Sequence, residues 1–403
     1  MSATPITAQI LAIDGGTPVR PTFLPYGRQL IDEDDIEAVV EVLRSDWLTT
    51  GPKVAEFEEA FAARVGAAYA VSFTSGTAAL HGAAFTAGLG AEDEAITSPL
   101  TFAATANCVL YQGARPVFAD VCGDTLNLDA ELVRKRITGR TRVILPVDYA
   151  GHPADLDLII EIAREHKLVV IEDACHALGA EYRGRSVGSI ADMTVFSFHP
   201  VKHITTGEGG MVTTNNPEYA ETLRRFRNQG ISSDARQRQS AGQWHYEMVL
   251  LGFNYRLTDM SCALGLSQLR KLDGNLARRR EIAGRYTDAF REIPGVIPPA
   301  VREGVNPAWH LYTIRIDSMK LAADRGQIFR ALRAENIGVN VHYIPVHLHP
   351  YYRERFGYKG REFPVAEGAY ERLISLPMFH GMSDQDVNDV ISAVTKVCTA
   401  FAR

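Results

Sequence analysis

Ser197-Phe198-His199-Pro200-Val201-Lys202-His203-Ile204-Thr205-Thr206-Gly207-Glu208-Gly209-Gly210 carries the chain out of an apolar run, 193–198, into a stretch too polar and too rich in glycine for helix or core. The run reads as a buried strand, so Lys202 stands at a strand's mouth, where an amine can attack a carbonyl. Upstream, Val169-Val170-Ile171-Glu172-Asp173-Ala174-Cys175-His176 is a second apolar strand that ends in a carboxylate. Earlier still, Val71-Ser72-Phe73-Thr74-Ser75-Gly76-Thr77-Ala78-Ala79-Leu80 reads as strand, glycine turn and helix start, a place to hold a phosphate on backbone N–H groups. Phosphate cradle, carboxylate and lysine are what pyridoxal 5'-phosphate (PLP) needs from a protein.

Working outward, short apolar strands are expected at 70–73, 95–97, 116–118, 143–146, 168–171, 194–198 and 210–213. Amphipathic helices such as 54–65, 78–87 and 156–166 separate most of them. That alternation predicts a mainly parallel seven-stranded sheet sandwiched by helices. The 210–213 strand follows its predecessor too closely for a helical crossover and is expected to be the antiparallel member. A helical pattern opens at Asp32, and two more helices are expected at 259–272 and 275–290. Beyond about residue 292 the proline content rises. The expected layout is an irregular arm over 1–24, a large domain over 25–280 and a smaller α+β domain over 281–403.

With 403 residues, 46% apolar and 22% charged, the composition is that of a soluble globular protein. A net charge of −6 gives no sign of nucleic-acid binding, and Arg278-Arg279-Arg280 reads as a solvated helix face. No apolar run is long enough for a transmembrane helix, and no secretion signal opens the chain, so a cytoplasmic location is expected. Five scattered cysteines, an odd number without a C-x-x-C, read as reduced thiols.

Each candidate has a plainer alternative. Lys202 in isolation is a surface lysine; in a pocket of Ser, His, Thr and Gly it is partly desolvated, which frees its amine to form a Schiff base. Asp173 is either a helix N-cap or the partner of a protonated pyridine nitrogen. His176 is a core histidine or a hydrogen-bond partner of the cofactor's phenolic oxygen. Ser197 adds a hydroxyl for the phosphate, and Phe102 either stacks on the ring or belongs to the core. The histidines of Val341-His342-Tyr343-Ile344-Pro345-Val346-His347-Leu348-His349 lack a cysteine or carboxylate at ligand spacing. No metal site is expected there, and a polar-aromatic substrate wall is the better reading.

Together these motifs resemble the DegT/StrS sugar aminotransferases, a family of fold-type I PLP-dependent transferases. The markers are Ser75-Gly76-Thr77-Ala78-Ala79-Leu80, Glu172-Asp173-Ala174-Cys175-His176-Ala177, Ser197-Phe198-His199 with Lys202, Gly207-Glu208-Gly209-Gly210, and Gly252-Phe253-Asn254-Tyr255-Arg256-Leu257-Thr258-Asp259. The likeness runs from about Leu24 to the C-terminus. Leu24 to Gln29, Ser45 to Pro52 and Val341 to Pro345 bring it nearer to the transaminases of pseudaminic-acid biosynthesis, while the extension through about Thr22 is more like antibiotic-sugar members.

The resemblance implies that Lys202 links the cofactor and shuttles a proton, Asp173 pairs with the pyridinium, and Gly76, Thr77 and Ser197 hold the phosphate. Phe102 would stack on the ring and His176 would meet the phenolic oxygen. Asn254 would reach the neighbouring subunit's phosphate, so a homodimer with shared active sites is implied. Tyr26, Asp46, Trp47, Leu48, Thr49, Gly76, His342, Tyr343, Ile344 and Pro345 match positions that touch the nucleotide sugar. The implied partners are L-glutamate as amino donor and a nucleotide-diphosphate sugar as acceptor, best a UDP-2-acetamido-2,6-dideoxy-hexos-4-ulose aminated at C-4. A dTDP or GDP ketosugar is the alternative. A sugar dehydratase on this fold would carry histidine at 202, and a silent regulator would lose Lys202 or Asp173; the chain keeps both.

Overall fold

In a computed structural model of the protein, residues 10–233, 238 and 242–403 are described. The central sheet has seven strands: β1 (Tyr69–Phe73), β2 (Glu94–Thr97), β3 (Arg115–Phe118), β4 (Thr141–Leu145), β5 (Val169–Asp173), β8 (Met193–Ser197) and β9 (Gly210–Thr214). The short pieces β6 (Glu181–Tyr182) and β7 (Arg185–Ser186) form a separate hairpin edged by β11 (Val305–Asn306). In the central sheet the order is β1-β9-β8-β5-β4-β2-β3. Only β9 runs against its neighbours, pairing antiparallel with both β1 and β8, as its short connection predicts. Val71, Phe73, Ile96, Ile144, Ile171 and Val195 are fully buried, because helices cover both faces.

The strand readings shift by a residue or two. The fifth strand runs on to Asp173, so this residue closes a strand; no helix follows it, and the N-cap alternative falls. The helix Gly76–Thr86 starts at the glycine itself, with Ser75 as its cap: Ser75 Oγ accepts from Ala78 N at 3.1 Å. The helix expected at 156–166 is found at Leu156–His166. At 32 the opening is a capping box, with Asp32 and Asp35 exchanging hydrogen bonds ahead of helix Glu33–Leu43.

A second core gathers around helix Leu272–Arg291, helix Asp384–Ala400 and the antiparallel strands β10 (Val296–Ile297), β12 (Tyr312–Ile316) and β13 (Leu373–Leu376). The irregular arm touches this core through residues 10–24; its residues 1–9 lie outside the described residues. Leu11 and Leu24 are buried there. The fully buried Glu335 accepts N–H groups of Ala12 at 2.9 Å and Val19 at 2.8 Å and pairs with Lys396 at 2.8 Å. The solvated arginine face also needs correcting. Arg278 pairs with Asp384 on the surface, but Arg279 is fully buried and donates to carbonyls of Trp309 and Met378, both at 3.0 Å. No helix among the described residues is long and apolar enough to cross a membrane.

Candidate active site

The carboxyl ends of β1, β5 and β8 open on one side of the sheet, where ligands of open α/β sheets bind. A cavity of about 390 Å³ lies there. Its wall contains Lys202, Asp173, Gly76, Thr77, Phe102, His176, Ser197, Tyr26, His342 and Tyr343, so the fold brings together residues that lie more than 300 positions apart in sequence.

Lys202 leaves β8 through a reversal stapled to one carbonyl. Phe198 O accepts from Thr206 N at 3.1 Å and from Thr205 Oγ1 at 3.1 Å, and Lys202 N donates to His199 O at 2.9 Å. Burial lowers the lysine below its ordinary range, while Cys175 and Asp173 push the other way. Part of the amine population is thereby shifted toward the nucleophilic form.

Asp173 is held from two sides. Thr105 Oγ1 donates to its Oδ2 at 2.7 Å, and Cys175 N donates to its Oδ1 at 3.2 Å. Thr101 in turn meets the Thr105 hydroxyl at 2.8 Å, so the carboxylate cannot swing. Behind it lies a buried acid pair. Asp148 and Glu172 are both fully buried; each keeps one carboxyl oxygen without a hydrogen-bond partner, Oδ2 and Oε1. Burial pushes Glu172 up to about 7 and Asp148 well above the carboxylate range.

At the other end, Gly76 opens its helix against β8. A Cβ there would sit 2.9 Å from the Cβ of Ser197, so only glycine lets the free N–H groups and the serine hydroxyl share one concave spot. His176 is held by Tyr343, whose hydroxyl lies 2.9 Å from its Nε2, while its Nδ1 is buried without a partner. Burial, then the Lys202 charge, keeps this imidazole well below the ordinary histidine range. Phe102 is 59% exposed at the N-cap of helix Ala103–Tyr111, and it is not a core residue. An N–H cradle with a hydroxyl, a clamped carboxylate, an open aromatic face, an orphaned ring nitrogen and a desolvated lysine fit the phosphate, pyridine nitrogen, ring, phenolic oxygen and aldehyde of PLP.

Other expected residues do not join this wall. Thr49 and Arg256 border a separate hollow of about 710 Å³, and Asp46, Leu48, Thr49 and Asn254 are exposed. Their segments are tied to one another: Asp259 N donates to Leu48 O at 3.1 Å, and the Asp259 carboxylate accepts from Gly51 N at 2.7 Å. Trp47 is only partly exposed, Ile344 is exposed and Pro345 is buried, and none of the three lines the lysine cavity. His347 does not line it either. Glu362 and Glu367 come close to His347, carboxylates that sequence spacing did not offer, but Glu367 Oε1 already accepts from His347 at 3.0 Å, Arg361 N at 2.8 Å and Phe363 N at 3.1 Å. That carboxylate is a loop anchor. Thr105, Cys175 and His310 also line the wall and were not among the expected site residues, because a buried threonine, cysteine or histidine has no distinguishing local pattern.

Residues 29–395 match the model of the DegT/DnrJ/EryC1/StrS aminotransferase family. The chain is 47% identical over 380 residues to the spore coat polysaccharide biosynthesis protein SpsC of Bacillus subtilis, covering 94% of this chain and 98% of that protein. Among solved structures, the putative sugar aminotransferase Spr1654 of Streptococcus pneumoniae in its PMP-form superposes with a TM-score of 0.88 at 33% identity, over 93% of this chain and 99% of that one. PseC of Helicobacter pylori, an aminotransferase of pseudaminic-acid biosynthesis, gives a TM-score of 0.88 at 33% identity, over 94% and 100%. With nearly its whole length matched and a cavity shaped for the cofactor, the chain belongs to the DegT/DnrJ/EryC1/StrS aminotransferase family and is a PLP-dependent sugar aminotransferase of nucleotide-sugar amination.

Proposed function

We propose that this enzyme moves an amino group from L-glutamate to C-4 of a UDP-linked 2-acetamido-2,6-dideoxy-hexos-4-ulose, in a homodimer whose active sites are shared. The observation that carries the reading is the division of the expected site residues. One set lines the Lys202 cavity, and the other, Asp46 to Thr49 with Asn254, lies outside it, exposed except for the half-buried Trp47. A second copy would supply that set to the first copy's cavity. The exposed apolar side chains of the same stretch, Trp244 at 84%, Met248 at 69% and Leu251 at 73%, support burial against such a copy.

When bound, the cofactor supplies the electron sink for the carbanion at the substrate carbon. The chain's residues have separate tasks. Gly76, Thr77 and Ser197 would hold the phosphate, with Asn254 of the other copy. Asp173, fixed by Thr105, would pair with the ring nitrogen. Phe102 would pack on the ring, and His176 would hydrogen-bond the phenolic oxygen. Lys202 would attach the cofactor and hold the proton for the substrate carbon. Tyr26, His342 and Tyr343 form the wall on the sugar's side. A dTDP or GDP ketosugar remains the second reading, favoured by the likeness of the extension through about Thr22 to antibiotic-sugar members. Mass spectrometry of products from a panel of UDP, dTDP and GDP ketosugars with glutamate tests the reading. A 4-amino UDP sugar is expected; amination confined to another nucleotide or to C-3 overturns it.

A further inference from the structure

His176 and Tyr343 meet in the wall of the Lys202 cavity, with the Tyr343 hydroxyl 2.9 Å from His176 Nε2. Two protons decide what this contact does. Burial, then the charges of Lys202, His342 and His203, keeps the imidazole well below the ordinary histidine range, so it is neutral and carries one N–H. Burial raises Tyr343 well above the ordinary phenol range, and Tyr149, Asp173, Cys175 and Tyr26 add to the rise, so the hydroxyl keeps its proton.

A hydrogen bond between two such groups can run in either direction. If Nε2–H donates, the phenol proton has no acceptor, because Nε2 is the hydroxyl's one partner among the described residues, and Nδ1 is left as a buried bare lone pair. If the hydroxyl donates, Nε2 is satisfied and the ring proton sits on Nδ1, the one group still unanswered. The first arrangement leaves two polar groups without partners and the second leaves one. The second also offers an N–H to an oxygen anion, where the first would offer a lone pair.

Both rings are held in place. His310 packs against His176 with centroids 4.3 Å apart. The segment that carries Tyr343 is bolted on either side of it. Asn340 N donates to Ser375 O at 3.1 Å, and Val346 N donates to Pro99 O at 2.8 Å. The Tyr149 hydroxyl donates to His342 O, and His342 Nδ1 lies 2.8 Å from Ser375 Oγ. A hydroxyl seated this firmly can select a tautomer, since the bond made by one ring nitrogen sets the proton on the other.

We propose that Tyr343 is a positioning residue for the cofactor: its hydroxyl donates to His176 Nε2, fixes the imidazole as the Nδ1–H tautomer, and so makes His176 a standing hydrogen-bond donor to the phenolic oxygen. This rests on the reading of His176 as the partner of that oxygen, and adds the direction of the bond and the residue that sets it.

The tautomer is read first in cofactor-free protein, where no phenolic oxygen biases it, by NMR of ring-labelled histidine. The His176 signals are those lost in His176→Phe. The wild type should show a protonated Nδ1 and a bare Nε2. Tyr343→Phe should raise the Nε2–H form from less than about a tenth of the population to about half or more. A wild type with the proton on Nε2, or a Tyr343→Phe spectrum that keeps the wild-type tautomer, overturns the proposal. The loaded protein gives a second readout, the pH midpoint of its colour change. Losing a donor at the phenolic oxygen strengthens that oxygen's hold on the neighbouring Schiff-base proton. His176→Phe should therefore move the midpoint up by about one pH unit, and Tyr343→Phe by about half as much. Adding Tyr343→Phe to His176→Phe should change nothing more, because the tyrosine acts through the histidine. A full further shift in that background overturns its action through His176. Should Tyr343→Phe fail to fold, the wild-type tautomer alone decides, and Nε2–H overturns the proposal. A midpoint indifferent to His176→Phe, with the Nδ1–H tautomer in place, sinks the phenolic-oxygen reading instead.

Discussion

The lysine cavity and the stretch around Asn254 are built on different logics. The cavity wall is closed upon itself: Thr101 fixes Thr105, Thr105 fixes Asp173, and Tyr343 fixes His176. The Asn254 stretch is tied to its own chain at Asn228, which pairs with Asn254 and accepts from Arg256 Nη1 at 2.7 Å, and at Thr74, whose N donates to Tyr255 O at 2.9 Å, while Asn254 itself is exposed. The first region has spent its polar groups on one another and on a future ligand. The second leaves Asn254 exposed. The proposed completion of the site by a second copy would account for both.

The sharpest way to break this comparison is Lys202→Ala. It should lower turnover by about 10⁴-fold, because no base remains at the substrate carbon, while PLP still binds noncovalently. The purified wild type should be yellow and should carry the borohydride-fixed cofactor mass on Lys202. Turnover by Lys202→Ala above about a hundredth of wild type would move the base elsewhere. Next comes Asp173→Asn, which keeps the shape and removes the charge at the ring nitrogen. Each 1.4 kcal/mol of lost transition-state stabilisation costs about tenfold, and a kcat loss of at least about a hundredfold is expected with an unchanged circular dichroism spectrum. Near-native kcat would assign the ring nitrogen to another group.

Asn254→Ala sharpens the second half of the comparison. Mixed dimers of Lys202→Ala and Asn254→Ala should contain one site with both lesions and one with neither, restoring up to about half of wild-type activity per mixed dimer. Co-refolded mixtures that stay inactive despite proven subunit exchange would return Asn254 to its own chain's site.

The smallest expected effect concerns the acid pair behind Asp173. Glu172 is raised to about 7 and Asp148 well above its ordinary range by burial. The folded state therefore holds protons that the unfolded chain releases near its ordinary carboxyl pKa. Stability from this source is fully present below that value and is lost as pH rises through neutrality. Asp148→Asn removes one titrating partner and should still accept the Ala154 N–H that Asp148 Oδ1 takes at 2.9 Å. It should raise the melting temperature more at pH 8 than at pH 5, a difference worth about 1–3 kcal/mol. Equal shifts at both pH values would mean that the pair is ionised throughout.

Much of the lysine cavity is legible in the sequence because the relevant residues sit at strand ends and glycine turns. In a parallel sheet such ends converge on one side, so Gly76, Asp173, Ser197 and Lys202 are expected together once their strands are recognised. Even the antiparallel direction of β9 follows from loop length. One expectation failed where periodicity is silent about what covers a surface. Three consecutive arginines occupy three different directions on a helix, and only the packing of β12 and β13 beside Leu272–Arg291 decides that the middle one is interior. Periodicity is equally silent about the arm, where the buried Glu335 accepts the N–H groups of Ala12 and Val19.

Local pattern by itself determined the alternating α/β class, the order of the sheet's chemistry-bearing turns and the lysine that attaches the cofactor in our reading, since each is set by residues within one or two turns of chain. Tertiary structure alone decided that Thr105 clamps Asp173, that Arg279 is buried, that His310 enters the wall and that Asn254 stays outside it. Each of those depends on side chains from elements distant in sequence meeting in one desolvated place, where the cost of an unanswered polar group selects the partner.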